Sequence, residues 1–315
     1  MPVNKPAILR NPMLYLPDMR SKFIKQWWYV AQRVESYSLR HLLHTVLTPA
    51  INLIGARPTD HGLLAQTVSI PGANGINLFA WFVPVLCQEP CPAIVLLHGW
   101  GGNASDLLPV AQSLHSAGYA VLLLEARNHG RSDKDDHSSL PRFAEDLDGA
   151  IDWLSEQVGV DAERIVAMGH SVGGAAVLLS ASRRTDLLAL ISVGAFAHPE
   201  QLMRRWFANR GVPYWPLGWL LNRYLERVIG ARFDDIAPVN TLMKISCPIL
   251  LIHGRQDSIV PVEDARLIWQ QRSGSDVTLI ECEGTHVEFD NVEEVTRCII
   301  AFLHPRAHME MQRGS

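Results

Sequence analysis

Runs of consecutive apolar residues recur along the chain at 93–97, 120–124, 165–168, 188–193, 249–252 and 277–280. They are nearly unbroken, where a half-buried strand would alternate apolar with polar residues. That pattern predicts strands covered on both faces, as in a parallel sheet. Between them the apolar positions change to a helical period: Leu107, Val110, Ala111 and Leu114; then Phe143, Leu147, Ala150, Ile151 and Leu154; and near the end Val292, Val295, Ile299 and Phe302. Each set lies on one face of a helix. Strand and helix in alternation, joined by right-handed crossovers, predict an α/β fold: a doubly wound, mostly parallel β-sheet flanked by helices, with its site at the carboxyl ends of the strands. Ahead of this pattern, 66–70 and 76–82 flank Asn74-Gly75. That dipeptide is a two-residue turn signal and predicts an antiparallel hairpin at the sheet edge.

Two segments fall outside the alternation. Residues 199–244 carry Trp206, Phe207, Tyr214, Trp215, Trp219 and Tyr224 in a proline-interrupted, helical stretch. This reads as a small helical insertion, with some of its aromatics forming its own core and others free to line a pocket. Residues 20–49 place Phe23, Trp27, Val30, Ala31 and Val34 on one helical face, then Leu39, Leu42, Leu43, Val46 and Leu47 on another. Such a stripe packs on its own fold, meets a second copy in a homodimer, or rests on a membrane surface with Lys22, Lys25 and Arg33 beside the tryptophan. The division that follows is an N-terminal helical extension over 1–60, a main domain over 61–305 holding the insertion, and a tail over 306–315. The tail ends in Arg313-Gly314-Ser315, which resembles a tag remnant.

With 315 residues, 48% of them hydrophobic and 19% charged, the chain has enough apolar side chain for one large core. A formal net charge of −4 supplies no drive towards nucleic acid. Five cysteines at irregular spacing do not make a disulfide framework. Cys87 and Cys91 have no second pair downstream, and no HExxH is present, so no metal site is expected. No apolar run is long enough to span a bilayer and no secretory pattern opens the chain, which points to a cytoplasmic protein.

The chemistry concentrates at Gly169-His170-Ser171-Val172-Gly173, where an apolar run gives way to the helix-like Gly174-Ala175-Ala176-Val177. Strand, glycine-flanked serine and helix lift a hydroxyl clear of a sheet, although a tight turn with no chemistry would need the same glycines. A serine hydroxyl is a weak nucleophile near neutral pH. It needs a base in hydrogen-bond reach and a third group that orients the base. Asp257 follows the run 249–252 and His286 follows the run 277–280, so the order is Ser, Asp, His. Glu263 and Asp264 lie near Asp257, and Glu200 follows the run 188–193 as a reserve carboxylate. Upstream, the run 93–97 leads into His98-Gly99-Trp100-Gly101-Gly102.

These four motifs together resemble the α/β-hydrolase family over residues 64–304, in its nucleophile elbow, its HG-type loop and its Ser, Asp, His order. The resemblance implies Ser171, Asp257 and His286 as catalytic residues and the N–H groups of Trp100 and Val172 as an oxyanion hole. It also implies that 199–244 caps the site, with Trp206, Trp215 and Trp219 as candidate substrate contacts. His98, His170 and the turn Arg127-Asn128-His129-Gly130-Arg131-Ser132 are expected to brace loops. A serine at the elbow points to a cofactor-independent hydrolase that cleaves small-molecule carboxylic esters through an acyl-enzyme. Aminopeptidase-like, thioesterase, acyltransferase and carbon–carbon hydrolase activities would use the same residues. A non-catalytic binding module would be expected to have broken the motifs, which here are intact.

Overall fold

The apolar runs are strands of a single sheet: β1 (Gln66–Pro71), β2 (Asn77–Val83), β3 (Cys91–Leu97), β4 (Ala120–Leu124), β5 (Val160–His170), β6 (Ala189–Val193), β7 (Ile249–Gly254) and β8 (Val277–Cys282). The computed structural model describes residues 47–309 apart from 51, 54, 87, 88, 273–275 and 288–291. The chain divides into two units at Leu47/Thr48, and the described residues belong almost wholly to the second, Thr48–Ser315. Most of the 20–49 stripe, with the membrane and homodimer readings attached to it, lies outside the described residues, as does 313–315.

The sheet order is β1-β2-β4-β3-β5-β6-β7-β8. β2 pairs antiparallel with both β1 and β4, and all other pairings are parallel. The expected edge hairpin is present. Its connection is longer than two residues: residues 72–76 join Pro71 to its partner Asn77, with Asn74 and Gly75 both at positive φ, 62° and 73°. β5 begins earlier than its apolar run, because the half-polar stretch from Val160 still pairs, through Val160 opposite Cys91.

The helices are α1 (Leu108–Ser116), α2 (Leu140–Ser155), α3 (Val172–Ala181), α4 (Pro199–Ala208), α5 (Trp219–Ile229), α6 (Val262–Gln270) and α7 (Val292–Met309). One core joins Leu108, Ala111 and Leu114 of α1 and Ile299, Phe302 and Leu303 of α7 to Ile94, Leu96, Val121, Leu123, Ile191 and Ile252. Those sheet residues alternate along their strands, so their neighbours Val95, Leu97, Leu122, Leu124 and Leu190, equally buried, turn to the opposite face. α2 packs with α3 and β3, and its Phe143, Leu147 and Leu154 are wholly buried. Burying one such side chain contributes roughly 1.5–3 kcal/mol. α3 is buried along its whole length, which fits its composition of Gly, Ala, Val, Leu and Ser.

The 199–244 segment departs between β6 and β7 and is helical, as its sequence predicts. It comprises α4, α5 and short helical turns at Tyr214–Gly218, Phe233–Ile236, Pro238–Thr241 and Leu242–Lys244. Its link to the sheet layer is charged: Arg205 grips Asp264 of α6 bidentately at 3.0 and 2.7 Å, and the same carboxylate accepts from the Ala197 N–H at 3.0 Å.

Candidate active site

β5 ends at His170 and α3 begins at Val172, so Ser171 alone makes the turn, at φ 57° and ψ −117°. That backbone is strained for any residue with a Cβ and persists only because its surroundings enforce it. The Ser171 N–H donates to the Val193 carbonyl at 2.8 Å. Glycine is required on both sides. A Cβ on Gly169 would collide with the Gly173 carbonyl, and one on Gly173 would lie 2.5 Å from the carbonyl oxygens of Leu97 and His98. The same close approach brings the 98–102 loop over Ser171, since a Cβ on Gly99 would sit 3.2 Å from Ser171 Cβ. The first intrahelical bond of α3 runs from the Ala175 N–H to the Ser171 carbonyl at 3.0 Å. The N–H groups of Val172, Gly173 and Gly174 therefore have no partner within the helix, and its dipole favours negative charge at this end.

Ser171 Oγ is 2.9 Å from His286 Nε2, and His286 Nδ1 is 2.6 Å from Asp257 Oδ2. A carboxylate can only accept, so Nδ1 carries the proton and Nε2 presents its lone pair to the hydroxyl. Asp257 is buried; burial favours its neutral form, but donors from His253, His286 and the Val260 N–H win and hold it well below the usual carboxylate range. Its Oδ1 accepts from the N–H groups of Ile259 and Val260 at 2.9 and 2.8 Å. Gln256 ties the loops bearing the two residues together, its N–H donating to the Gly284 carbonyl at 2.9 Å and its side-chain oxygen accepting from the Gly284 N–H. His170 Nε2 lies 2.7 Å from the His286 carbonyl and donates to it, fixing the loop that carries His286 from the residue next to Ser171. Burial and the adjacent His286 push His170 towards its neutral form.

The surrounding loops are braced by buried polar groups. His98 donates from Nδ1 to the Gly99 carbonyl at 2.7 Å and accepts at Nε2 from the Ala126 N–H at 3.1 Å. Glu125, fully buried, accepts from the backbone N–H of Arg131 and, at 3.4 Å, from that of Ala104. Arg127, also fully buried, is bound to Asp146 and Asp135 at 2.6 and 2.8 Å. Trp100 stacks on Phe143 with ring centroids 6.2 Å apart and keeps 42% of its surface exposed.

Two of these rings make stability depend on pH. Burial and the neighbouring His129 bring His98 down from 6.5 to about 3, and burial brings His129 down to about 4. Below pH 6.5 the unfolded chain takes up protons that the folded one refuses, so stability falls as pH drops. Each ring adds a slope of at most about 1.4 kcal/mol per pH unit. Asp257, with a lowered value, loses its contribution only below the ordinary 3.8. The urea midpoint followed by tryptophan fluorescence is therefore expected to drop between pH 7 and pH 5. A constant midpoint over that interval would mean that both rings accept protons in the folded state.

The structure thus brings Ser171, Asp257 and His286 into one hydrogen-bonded line and sets the Trp100 loop and the Val172 helix start beside it. Glu200 is elsewhere: it sits at the start of α4, bonded to Tyr214 and Arg204. Asp264 is engaged by Arg205. Trp206 packs on Phe207 and Arg210, and Trp215 on Trp219, with Trp215 71% and Trp219 38% exposed. The sequence reading missed Gln256 and His253. The signal for the latter was a lone histidine closing an apolar strand four residues before an aspartate. Among the described residues no group of three or more His, Cys, Asp or Glu is placed to hold a metal ion, and no helix is long and apolar enough to cross a membrane.

Comparison with known proteins agrees with this architecture. An uncharacterised protein of Mycobacterium tuberculosis is 29% identical over 196 residues, which are 62% of this chain and 63% of that protein's length. YfhR of Escherichia coli is 25% identical over 229 residues, covering 71% of this chain and 74% of YfhR. Among solved structures, the Pyrococcus furiosus esterase Pf2001 matches with a TM-score of 0.66 at 20% identity, covering 82% of this chain and 98% of that one. Est1E from Butyrivibrio proteoclasticus matches with a TM-score of 0.57 at 23% identity, covering 76% and 98%. At such identities the structural likeness is one of fold. A profile of the Alpha/beta hydrolase family matches residues 94–297, well over half of the sequence and the part that holds Ser171, Asp257 and His286, and the chain therefore belongs to that family.

Proposed function

We propose that this chain hydrolyses carboxylic esters through an acyl-enzyme on Ser171. The observation that carries the reading is the line from Ser171 Oγ through His286 to Asp257, with separations of 2.9 and 2.6 Å. In this reading His286 takes the hydroxyl proton as Oγ attacks the ester carbonyl, then delivers it to the departing alkoxide. Water, activated by the same ring, releases the acid and restores the serine. Asp257 holds the tautomer that makes each step available. The negative charge on the carbonyl oxygen would be met by the N–H groups of Trp100 and Val172, each worth about 3–4 kcal/mol at the transition state. The esterases among the fold neighbours support the ester reading over the peptidase one.

The test is a panel of p-nitrophenyl esters of increasing acyl length, run beside amino-acid p-nitroanilides, with wild type and Ser171→Ala. Ester hydrolysis that disappears in the variant supports the reading. Preference for the anilides would replace it with a peptidase, and no turnover of either would favour a binding module.

The 199–244 segment is proposed as a cap, with Trp206, Trp215 and Trp219 as acyl contacts. A buried methylene contributes roughly 0.8 kcal/mol, so a pocket gains selectivity up to its own length and loses it beyond. On the same panel, Trp215→Ala or Trp219→Ala is expected to move the optimum to longer acyl chains while changing acetate hydrolysis by less than about threefold. Equal loss at every length in both variants, or no change in either, would assign these rings to the segment's own packing.

A further inference from the structure

His253 ends the apolar stretch of β7 and is completely buried. Its Nε2 lies 2.7 Å from the Val260 carbonyl oxygen and 3.3 Å from Asp257 Oδ2. Both neighbours are acceptors, so Nε2 carries the proton and Nδ1 is left as a bare lone pair. Among the described residues Nδ1 has no hydrogen-bond partner, and it is shielded from solvent. A leucine or phenylalanine would fill the position without stranding a polar atom, and an unmet buried acceptor destabilises a fold. Packing therefore does not account for a histidine here, whereas its single N–H does.

The same ring borders Asp257. Oδ1 is saturated by the N–H groups of Ile259 and Val260, Oδ2 receives His286 Nδ1–H at 2.6 Å, and His253 Nε2, whose N–H is bonded to the Val260 carbonyl, lies 3.3 Å from that same oxygen. Two imidazoles flank one carboxylate oxygen. The ionisable groups facing His253 are Asp257, on the loop after its own strand, and Glu281, its partner in register on β8. Glu281 is already neutralised by Arg266 at 2.7 Å.

We infer that His253 is a positioning residue for the proposed catalytic line: it pins the Asp257 carboxylate in the rotamer that faces His286 and draws off part of the charge that His286 would otherwise feel. The inference rests on the ester-hydrolase reading for its kinetic consequences, though not for its structural ones. Without the His253 donor, Oδ2 holds more charge against a less firmly oriented carboxylate. Imidazolium is then stabilised before reaction, so the acid limb of the kcat/KM profile moves to higher pH. The misdirected base lowers kcat, while substrate contacts are untouched.

The experiment compares wild type, His253→Leu and His253→Gln, the last retaining an N–H donor of similar reach. Active sites are counted with a fluorophosphonate, and 15N NMR of the histidine side chains is recorded on the resting wild-type protein. His253→Leu is expected to lose about ten- to a hundredfold in kcat with KM within about twofold, and to shift the acid limb upward by about half a pH unit. His253→Gln is expected to stay within about threefold of wild type and to keep the limb in place. A folded His253→Leu with wild-type kcat and profile overturns the inference. So does an NMR spectrum in which His253 is protonated at Nδ1, a result that decides the matter even if the leucine variant does not fold. If the wild type turns over no ester at all, the functional reading fails by itself, while the tautomer of His253 and the loss of its contact with Asp257 in the variants remain measurable.

Discussion

Ser171→Ala is expected to lower kcat on p-nitrophenyl acetate by about four to six orders of magnitude, and His286→Ala by a similar factor. The size follows from the geometry. Ser171 Oγ is the atom presented to His286 Nε2 at 2.9 Å, and the ring has no other hydroxyl in the line to activate. Removing either partner leaves the proposed oxyanion donors and the bound substrate, which would still assist attack by water, but no activated serine. The two losses belong to one device, so the double variant should be scarcely slower than either single one. The fold should survive, because alanine can occupy the strained turn as serine does and the enforcing contacts are backbone ones: Ser171 N–H to Val193, and the tight passage of Gly169 against Gly173. Circular dichroism and the urea midpoint check this. More than about a tenth of wild-type activity in a folded single variant would remove Ser171 and His286 from the mechanism.

The frame was legible in the sequence because parallel strands buried on both faces leave unbroken apolar runs, and six of the eight strands announce themselves that way. The hairpin was legible for a different reason, since Asn74-Gly75 encodes its turn directly. What could not be read was where pairing outlasts hydrophobicity. β8 continues through Glu281 and Cys282 because they pair with His253 and Gly254, and β5 starts among polar residues opposite Cys91. At the site, motif and order pointed to Ser171, Asp257 and His286, but for the carboxylate the sequence also offered Glu200 in reserve and Glu263 and Asp264 nearby. The choice is made in three dimensions. Arg205 occupies Asp264, Arg204 and Tyr214 occupy Glu200, and the turn after β7 aims only Asp257 at the ring. His253 and Gln256 stayed invisible because their roles exist only once β7 and β8 lie side by side.

Asp257→Asn is expected to lower kcat by about four orders of magnitude with KM little changed. The backbone fixes how the amide must lie. Ile259 and Val260 both donate to the Oδ1 position, which therefore has to keep an oxygen, and the NH2 is forced into the place of Oδ2. There it faces His286 Nδ1, which must now accept, so the ring's proton moves to Nε2 and points at Ser171. A base in that tautomer cannot take the hydroxyl proton. It also opposes the Nε2–H of His253, which retains only the Val260 carbonyl. The loss is thus one of tautomer and not of substrate binding, which predicts its kinetic form: kcat falls, KM holds, and 15N NMR finds His286 protonated at Nε2. Glu200→Gln serves as the control, since it disturbs the Tyr214 and Arg204 contacts but not the line to Ser171, and it should retain activity within about threefold. An Asp257→Asn protein that keeps more than about a hundredth of its kcat would mean that another group orients His286, and loss in Glu200→Gln would name it.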